Sequence, residues 1–367
     1  MRRIKRAAII LIPVFLSACQ LLLGPDPDTS PEGVLYSLWK NVNELHAYVH
    51  IRMDMNANFA DWEEVYQHYK DELLSDKLDL FSACAGMLDE LKDPHIALYA
   101  PGGNIYMLNE KNYTYKTSTS FYSEKEEFIG IVSDYLTDGG IWSENEMFLY
   151  GTFINAPHIG YLYISKFIDS ANLSWAFDWA EEIDRIINFF RENAAALIID
   201  IRYNTGGISQ VQEYIAARFA AVQEDYILSS AKNGPGRNDF SEPMIYRITP
   251  TKITYTRPTI LLTNKASISM SEWFTLAMRK QPHVTHAGLS TQGALSVRTI
   301  RPMINGWYYS TSSQKITDMD GKCYEGFGVR PQVEIIGEEV TRWAVHPGKQ
   351  LEAVLEWLDS RNREDTD

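Results

Sequence analysis

Apolar residues recur at three- and four-residue intervals through the first quarter of the chain. Val34, Leu35, Leu38, Trp39, Val42, Leu45 and Val49 form one run, Trp62, Val65, Tyr66 and Tyr69 a second, and Leu80, Cys84, Met87, Leu88 and Leu91 a third. This is the period of amphipathic helices, so residues 32–92 are expected to fold as a helical subdomain. The third run stops at Lys92-Asp93-Pro94, where proline cannot continue a helix. His95-Ile96-Ala97-Leu98-Tyr99 then alternates like a strand, which puts His95 on the face opposite Ile96 and Leu98.

Residues 93–157 carry weaker patterns and read as a connecting β segment, with strands expected near 128–132 and 147–153. From 158 to 340 the signals sharpen into an α/β core. Residues 159–167 read as a strand. Ser174 is expected to cap a helix whose apolar positions are Trp175, Trp179, Ile183, Ile186 and Phe190. Residues 196–201 are a continuous apolar run broken only by Asp200, as in a strand covered on both faces. Strand, helix and strand make a βαβ unit with a right-handed crossover. A helix over 209–222, a buried strand over 258–263, a helix through 272–278 and short strands within 283–336 follow. Residues 341–367 close the chain with a helix near 349–358 and a tail.

The N-terminus stands apart. Met1-Arg2-Arg3-Ile4-Lys5-Arg6 is basic, residues 7–16 are apolar but too few to span a bilayer, and Leu16-Ser17-Ala18-Cys19 follows. Small residues before a cysteine resemble the bacterial lipobox. Residues 1–18 are therefore expected to be a lipoprotein signal peptide, with Cys19 the lipidated residue and Gln20 implying the outer membrane. Residues 19–31, rich in proline, aspartate and glycine, read as a tether. Removing the leader takes away four basic residues and lowers the net charge from −14 to about −18. Such a surface repels phosphate backbones, and no nucleic-acid partner is expected. Cys84 and Cys323 have no spacing that signals a disulfide, so two thiols are expected. Hydrophobic residues at 45% and charged residues at 22% describe a folded chain and exclude disorder.

Candidate chemistry concentrates in Leu262-Thr263-Asn264-Lys265-Ala266-Ser267-Ile268-Ser269-Met270-Ser271-Glu272. Ser269 followed by Glu272 is a capping box, a structural use of both residues. The same serine, on a turn between a buried strand and a helix, lies at the carboxyl edge of the sheet, where open α/β folds place ligands. The helix N-terminus there supplies N–H groups for a developing oxyanion. Local pattern leaves both uses open. A nucleophilic serine needs a base, and of eight histidines His95 is the one held at a proline-defined corner. Asp200-Ile201-Arg202-Tyr203-Asn204-Thr205-Gly206-Gly207 follows a second buried strand. It lacks the Lys-Ser/Thr pair of a phosphate loop, so amides for an oxyanion fit it better than a nucleotide.

In order along the chain, Glu90-Leu91-Lys92-Asp93-Pro94-His95-Ile96, the 200–207 loop, the 263–272 segment and Tyr324-Glu325-Gly326-Phe327-Gly328-Val329-Arg330-Pro331 resemble the tail-specific or C-terminal-processing serine proteases. The likeness is to the subgroup related to the tricorn core and the retinoid-binding repeats, without a PDZ domain. The resemblance implies an α/β fold with a crotonase-like ββα core behind the helical subdomain. It implies Ser269 as nucleophile, with oxyanion donors at Met270 and at Gly206 or Gly207. Ala294 stands where many bacterial members carry a lysine base, which excludes a Ser-Lys dyad. In the tricorn-like branch the base is a histidine preceded by a serine and helped by a glutamate. His95 and Glu325 match that pair, Glu325 acting through an intermediary, and Pro94 replaces the serine. The implied activity is an acyl-enzyme serine peptidase of the cell envelope acting on peptides or unfolded proteins, with no cofactor or metal. A family member that binds a peptide or apolar molecule without turnover is the alternative.

Overall fold

The N-terminal stripes close on one another in the computed structural model, which describes residues 27–103, 105–107, 119–167, 178–334 and 347–364. Helices α1 (Pro31–Leu45), α2 (Val49–Asp54), α3 (Trp62–Leu74) and α4 (Leu80–Asp89) bury Val34, Leu38, Val42, Val65, Met87 and Leu88 in one core. The starts of α1, α3 and α4 have a sequence cause. The Ser30 hydroxyl accepts the Gly33 N–H at 3.1 Å ahead of Pro31, and the Asp61 and Asp79 carboxylates accept the Glu64 and Ser82 N–H groups at 2.9 and 2.7 Å. The first apolar run, periodic through Val49, is not one helix. It breaks at His46, whose backbone turns extended, and restarts three residues later at Val49.

The chain continues through β1 (Ala97–Tyr99), β2 (Ile105–Met107), α5 (Thr119–Ser133), β3 (Ile141–Trp142), β4 (Phe148–Thr152), β5 (Ile159–Ile164), α6 (Asp178–Asn193), β6 (Ala196–Asp200), α7 (Ser209–Ala217), β7 (Glu224–Ala231), β8 (Met244–Ile248), β9 (Thr259–Thr263), α8 (Met270–Arg279), β10 (Val284–Gly288), β11 (Arg298–Pro302), β12 (Tyr308–Ser312), β13 (Gln314–Thr317), β14 (Val333–Glu334) and α9 (Pro347–Glu364). A seven-stranded sheet in the order β14-β10-β9-β6-β5-β4-β3 forms the centre. Its first five strands are parallel, β4 adds antiparallel to β5, and β3 adds antiparallel to β4. Every residue of β5, β6 and β9 is buried, as their unbroken apolar runs require.

Residues 128–132, expected as a strand, lie in α5. Phe128 and Val132 fall four apart, the spacing of a helix face, and pack with Leu136 against Leu149, Tyr161 and Tyr203. The connecting segment thus contributes a helix, together with strands that extend the central sheet. The expected cap Ser174 and Trp175 lie outside the described residues, and α6 is described from Asp178. Helix α7 ends at Ala217, short of the expected 222. The small β13-β7-β8 sheet has no counterpart in the sequence reading.

Two joints position the site. Strands β6 and β9 are parallel neighbours, so the loops that leave their carboxyl ends, 201–207 and 264–269, lie side by side. Strand β1, straight after the helical subdomain, pairs antiparallel with β12 from late in the chain, matching Ala97 to Ser310 and Leu98 to Tyr309. No helix among the described residues is long and apolar enough to cross a membrane.

Candidate active site

The three alternating serines have different fates. The Ser267 hydroxyl donates to the Ile201 carbonyl at 2.8 Å, and Ser271 Oγ lies 2.7 Å from the Asn204 carbonyl. Both are buried and stitch the two loops together. Ser269 between them is half-buried and has φ +63° and ψ −121°, a conformation a non-glycine residue adopts only under strain. A serine in a strained strand-to-helix turn is the arrangement of a nucleophile elbow. It stands at the N-terminus of α8, in the positive end of the helix dipole.

Glu272 holds this turn. Its fully buried carboxylate accepts four hydrogen bonds: from Thr291 Oγ1 and the Gly293 N–H at 2.7 Å each, from the Ala294 N–H at 2.8 Å and from the Ser269 N–H at 3.1 Å. Burial pushes its carboxyl upward, and the four donors pull the other way. The carboxylate half of the capping box is therefore real and part of a larger clamp. Ala294, where a lysine base would stand, is buried and supplies its backbone N–H to that clamp.

Of the oxyanion candidates, Gly206 has another task. Its N–H, one of the two amides expected as alternative oxyanion donors, donates to Asn204 Oδ1 at 2.8 Å. Its place explains why it is glycine: at φ +85°, a Cβ would come within 2.7 Å of the Ser269 Cβ and 2.8 Å of the Met270 nitrogen. The bridge to Phe167 uses the Gly206 carbonyl and the Ile208 N–H, so it engages neither the N–H of exposed Gly207 nor that of Met270.

His95 is buried beside a carboxylate that sequence reasoning overlooked. Asp93 Oδ1 accepts the His95 backbone N–H at 2.9 Å and lies 3.8 Å from the ring Nδ1. Asp93 Oδ2 is 2.9 Å from His46 Nε2. The Tyr48 N–H donates to His46 Nδ1 at 3.0 Å, so that nitrogen carries no proton and Nε2–H is the donor to Asp93. Although burial opposes ionisation, the His46 hydrogen bond and the neighbouring His46, His95 and Arg52 hold the Asp93 carboxyl well below the usual range. On the other side, His95 Nδ1 meets Ser312 Oγ at 3.2 Å, and Ser310 Oγ donates to the His95 carbonyl at 2.6 Å. A serine does reach the histidine, from β12 rather than from position 94.

Glu325 is buried too, and its direct partners are the Arg52 Nη2 and the Leu295 N–H, each at 2.9 Å. Burial pushes its carboxyl up, Arg52 pulls it down, and Asp93 and Glu272 add to the rise. The histidine corner, the 292–293 loop and the Glu325 turn meet at one cavity, whose wall includes Pro94, Gly293 and Gly326. Those residues adjoin His95, the Glu272 clamp and Glu325 respectively. Asp93 stands inside Lys92-Asp93-Pro94, where a short acid two residues before a turn amide is a recognisable acceptor. His46, Arg52 and Ser312 had no local signal. Trp307 and Tyr309 pack on the helical core, Trp307 against Phe81 with ring centres 5.8 Å apart.

Residues 158–335 match the sequence profile of peptidase family S41. The carboxy-terminal processing protease CtpB of Bacillus subtilis is 27% identical over 182 residues, covering 50% of this chain and 35% of its own. This chain spans 35–42% of the length of the curated relatives it matches. A Parabacteroides merdae protein described as a candidate peptidase superposes with a TM-score of 0.69 at 26% identity, over 90% of this chain and 97% of that one. Mature CPAF shares the fold, with a TM-score of 0.63 at 13% identity, over 90% and 95%. The profile match covers both loops that meet at Ser269, and the superposition extends through the helical subdomain: the chain belongs to peptidase family S41.

Proposed function

We propose that this chain is a serine peptidase of the bacterial cell envelope that cleaves peptides or unfolded proteins through an ester on Ser269. The observation that carries this reading is the strained Ser269 turn, clamped by Glu272 at a helix N-terminus and packed against Gly206. Ser269 Oγ attacks the scissile carbonyl carbon and its proton passes to His95. With Nδ1 against Ser312, Nε2 is the nitrogen that takes it. The N–H groups of Met270 and Gly207 receive the oxyanion. As the C–N bond breaks, His95 returns the proton to the leaving amine. Water, deprotonated by the same ring, then attacks the ester, releasing the acid and restoring the serine. Asp93, fixed by His46, orients the imidazole. Glu325 acts on it through Arg52 and Asp93.

A fluorophosphonate probe tests this directly. The wild-type chain is expected to be labelled at Ser269, while Ser269→Ala and His95→Ala are not. A folded wild-type chain that resists the probe would instead support a family member that binds peptide without turnover. The lipid anchor has its own test: metabolic labelling with palmitate should tag the chain, and Cys19→Ser should abolish the tag.

A further inference from the structure

The cavity bounded by Pro94, Gly293 and Gly326 holds about 310 Å³ and also carries Arg52, Lys92 and Gln292 on its wall. Arg52 is 7% exposed. One of its N–H groups, on Nη2, serves Glu325, but the buried Nε has no acceptor among the described residues. Nη1 lies along Gly326, where an added Cβ would be 3.7 Å away. Across the cavity Gln292 presents a buried Oε1 that meets no donor among the described residues. The other charged groups on the wall are occupied. Lys92 pairs with Asp89 at 2.5 Å, and Glu90 accepts from Asn56 Nδ2 at 3.0 Å.

A buried donor and a buried acceptor left unmet in one enclosure describe the ligand by complement. The donor is a guanidinium, whose fork matches a carboxylate. The acceptor suits a peptide N–H. The cavity adjoins the histidine corner and the Glu325 turn, and Gly293 on its wall donates to the Glu272 carboxylate that also holds the Ser269 N–H, so the cavity neighbours the path of a chain lying across Ser269. We propose that Arg52 receives a carboxylate of the peptide substrate while Gln292 takes a nearby backbone N–H. This rests on the peptidase reading for the identity of the ligand as substrate. The carboxylate is either an acidic side chain or the α-carboxylate of a chain end.

The test is calorimetric binding to Ser269→Ala protein, which does not depend on turnover. The probes are two matched pairs: acetyl-Ala-Ala-Glu-Ala-amide against its Gln twin, and acetyl-Ala-Ala-Ala as free acid against its amide. One acid is expected to bind at least about 10-fold more tightly than its twin. A preference in the first pair assigns a side-chain carboxylate, and one in the second a chain end. Arg52→Gln should erase the preference. Because it strands the buried Glu325, the double variant Arg52→Gln/Glu325→Gln is measured beside it. Equal binding within both pairs overturns the proposal, as does an acid preference that survives in the double variant. An acid preference in a chain that resists the fluorophosphonate sinks the peptidase reading and leaves the site standing. Labelling at Ser269 without any acid preference does the reverse.

Discussion

Replacing Glu272 by glutamine keeps its volume and changes one acceptor oxygen into a donor nitrogen. In the native clamp Oε1 accepts from Thr291 Oγ1 and the Gly293 N–H, and Oε2 accepts from the Ser269 and Ala294 N–H groups. In the Oε2 place the NH₂ faces two N–H donors; in the Oε1 place it faces the Gly293 N–H and the Thr291 hydroxyl, which can turn to accept. At least one buried donor is left unmet, at about 1–3 kcal/mol. Relief from burying a charge offsets part of this, since burial already pushes the Glu272 carboxyl upward. The expected loss is about 1–3 kcal/mol, read as a lower midpoint in urea unfolding at unchanged slope. The strain at Ser269, of the order of 1–3 kcal/mol, is then free to relax. Fluorophosphonate labelling should slow by about 10-fold for each 1.4 kcal/mol of misplacement of the hydroxyl. A Glu272→Gln chain within about 0.5 kcal/mol of wild type and labelled at the wild-type rate would refute the clamp, because surface substitutions stay in that range.

Gly206→Ala should slow labelling by about 100-fold while costing about 1–2 kcal/mol of stability, since its Cβ strikes Ser269 and its backbone is left-handed; a matched loss in both readouts would mean general unfolding. Asp93 titrates well below its unfolded value near 3.9, so its contribution is complete above about pH 5 and is lost as pH falls through the depressed value. Asp93→Asn should therefore cost about 1–3 kcal/mol at pH 7 and flatten the fall of stability between about pH 5 and 3, measured by denaturant titration across that window. Arg202→Met strands buried Asp200, which it otherwise grips through Nε at 2.9 and 3.0 Å, and should cost about 3–5 kcal/mol. The double change Arg202→Met/Asp200→Leu should recover most of that loss, an outcome that additive single effects do not give.

Where apolar spacing was dense, the fold was legible. The N-terminal helical subdomain, though not the break of its first run at His46, the buried strands β5, β6 and β9 and the start of α8 follow from periods of 3.6 and from near-continuous apolar runs. The failures have a common cause. In 128–132, Phe128, Ile129, Ile131 and Val132 form a short apolar run that suits a strand as well as a helix, and the buried pair Phe128 and Val132, four apart, is all that marks the helix face. The β7–β8 ribbon was missed because its strands are half exposed and closed by β13, more than 60 residues away. Pairings of that range leave no local mark.

The candidate site divides along the same line. Ser269, Met270, Gly206 and Gly207 come from two loops that adjacent parallel strands must bring together, so a motif on each loop was enough to name them. The histidine side is assembled from four remote pieces: His46 and Arg52 from α1–α2, Asp93 and His95 from the β1 corner, Ser312 from β12, and Glu325 from a glycine turn. What joins them is the pairing of β1 with β12, three residues long, together with the Ala47 N–H on the Ser312 carbonyl and the Ile316 N–H on the Tyr48 hydroxyl. So short a ladder cannot hold that joint unaided, and the buried contacts among His46, Asp93, Arg52 and Glu325 must share the work. Those side chains therefore fasten the helical subdomain to the core as well as surrounding the imidazole. A polar residue with both duties sits inside a helical stripe or a turn, where sequence pattern reads only the first.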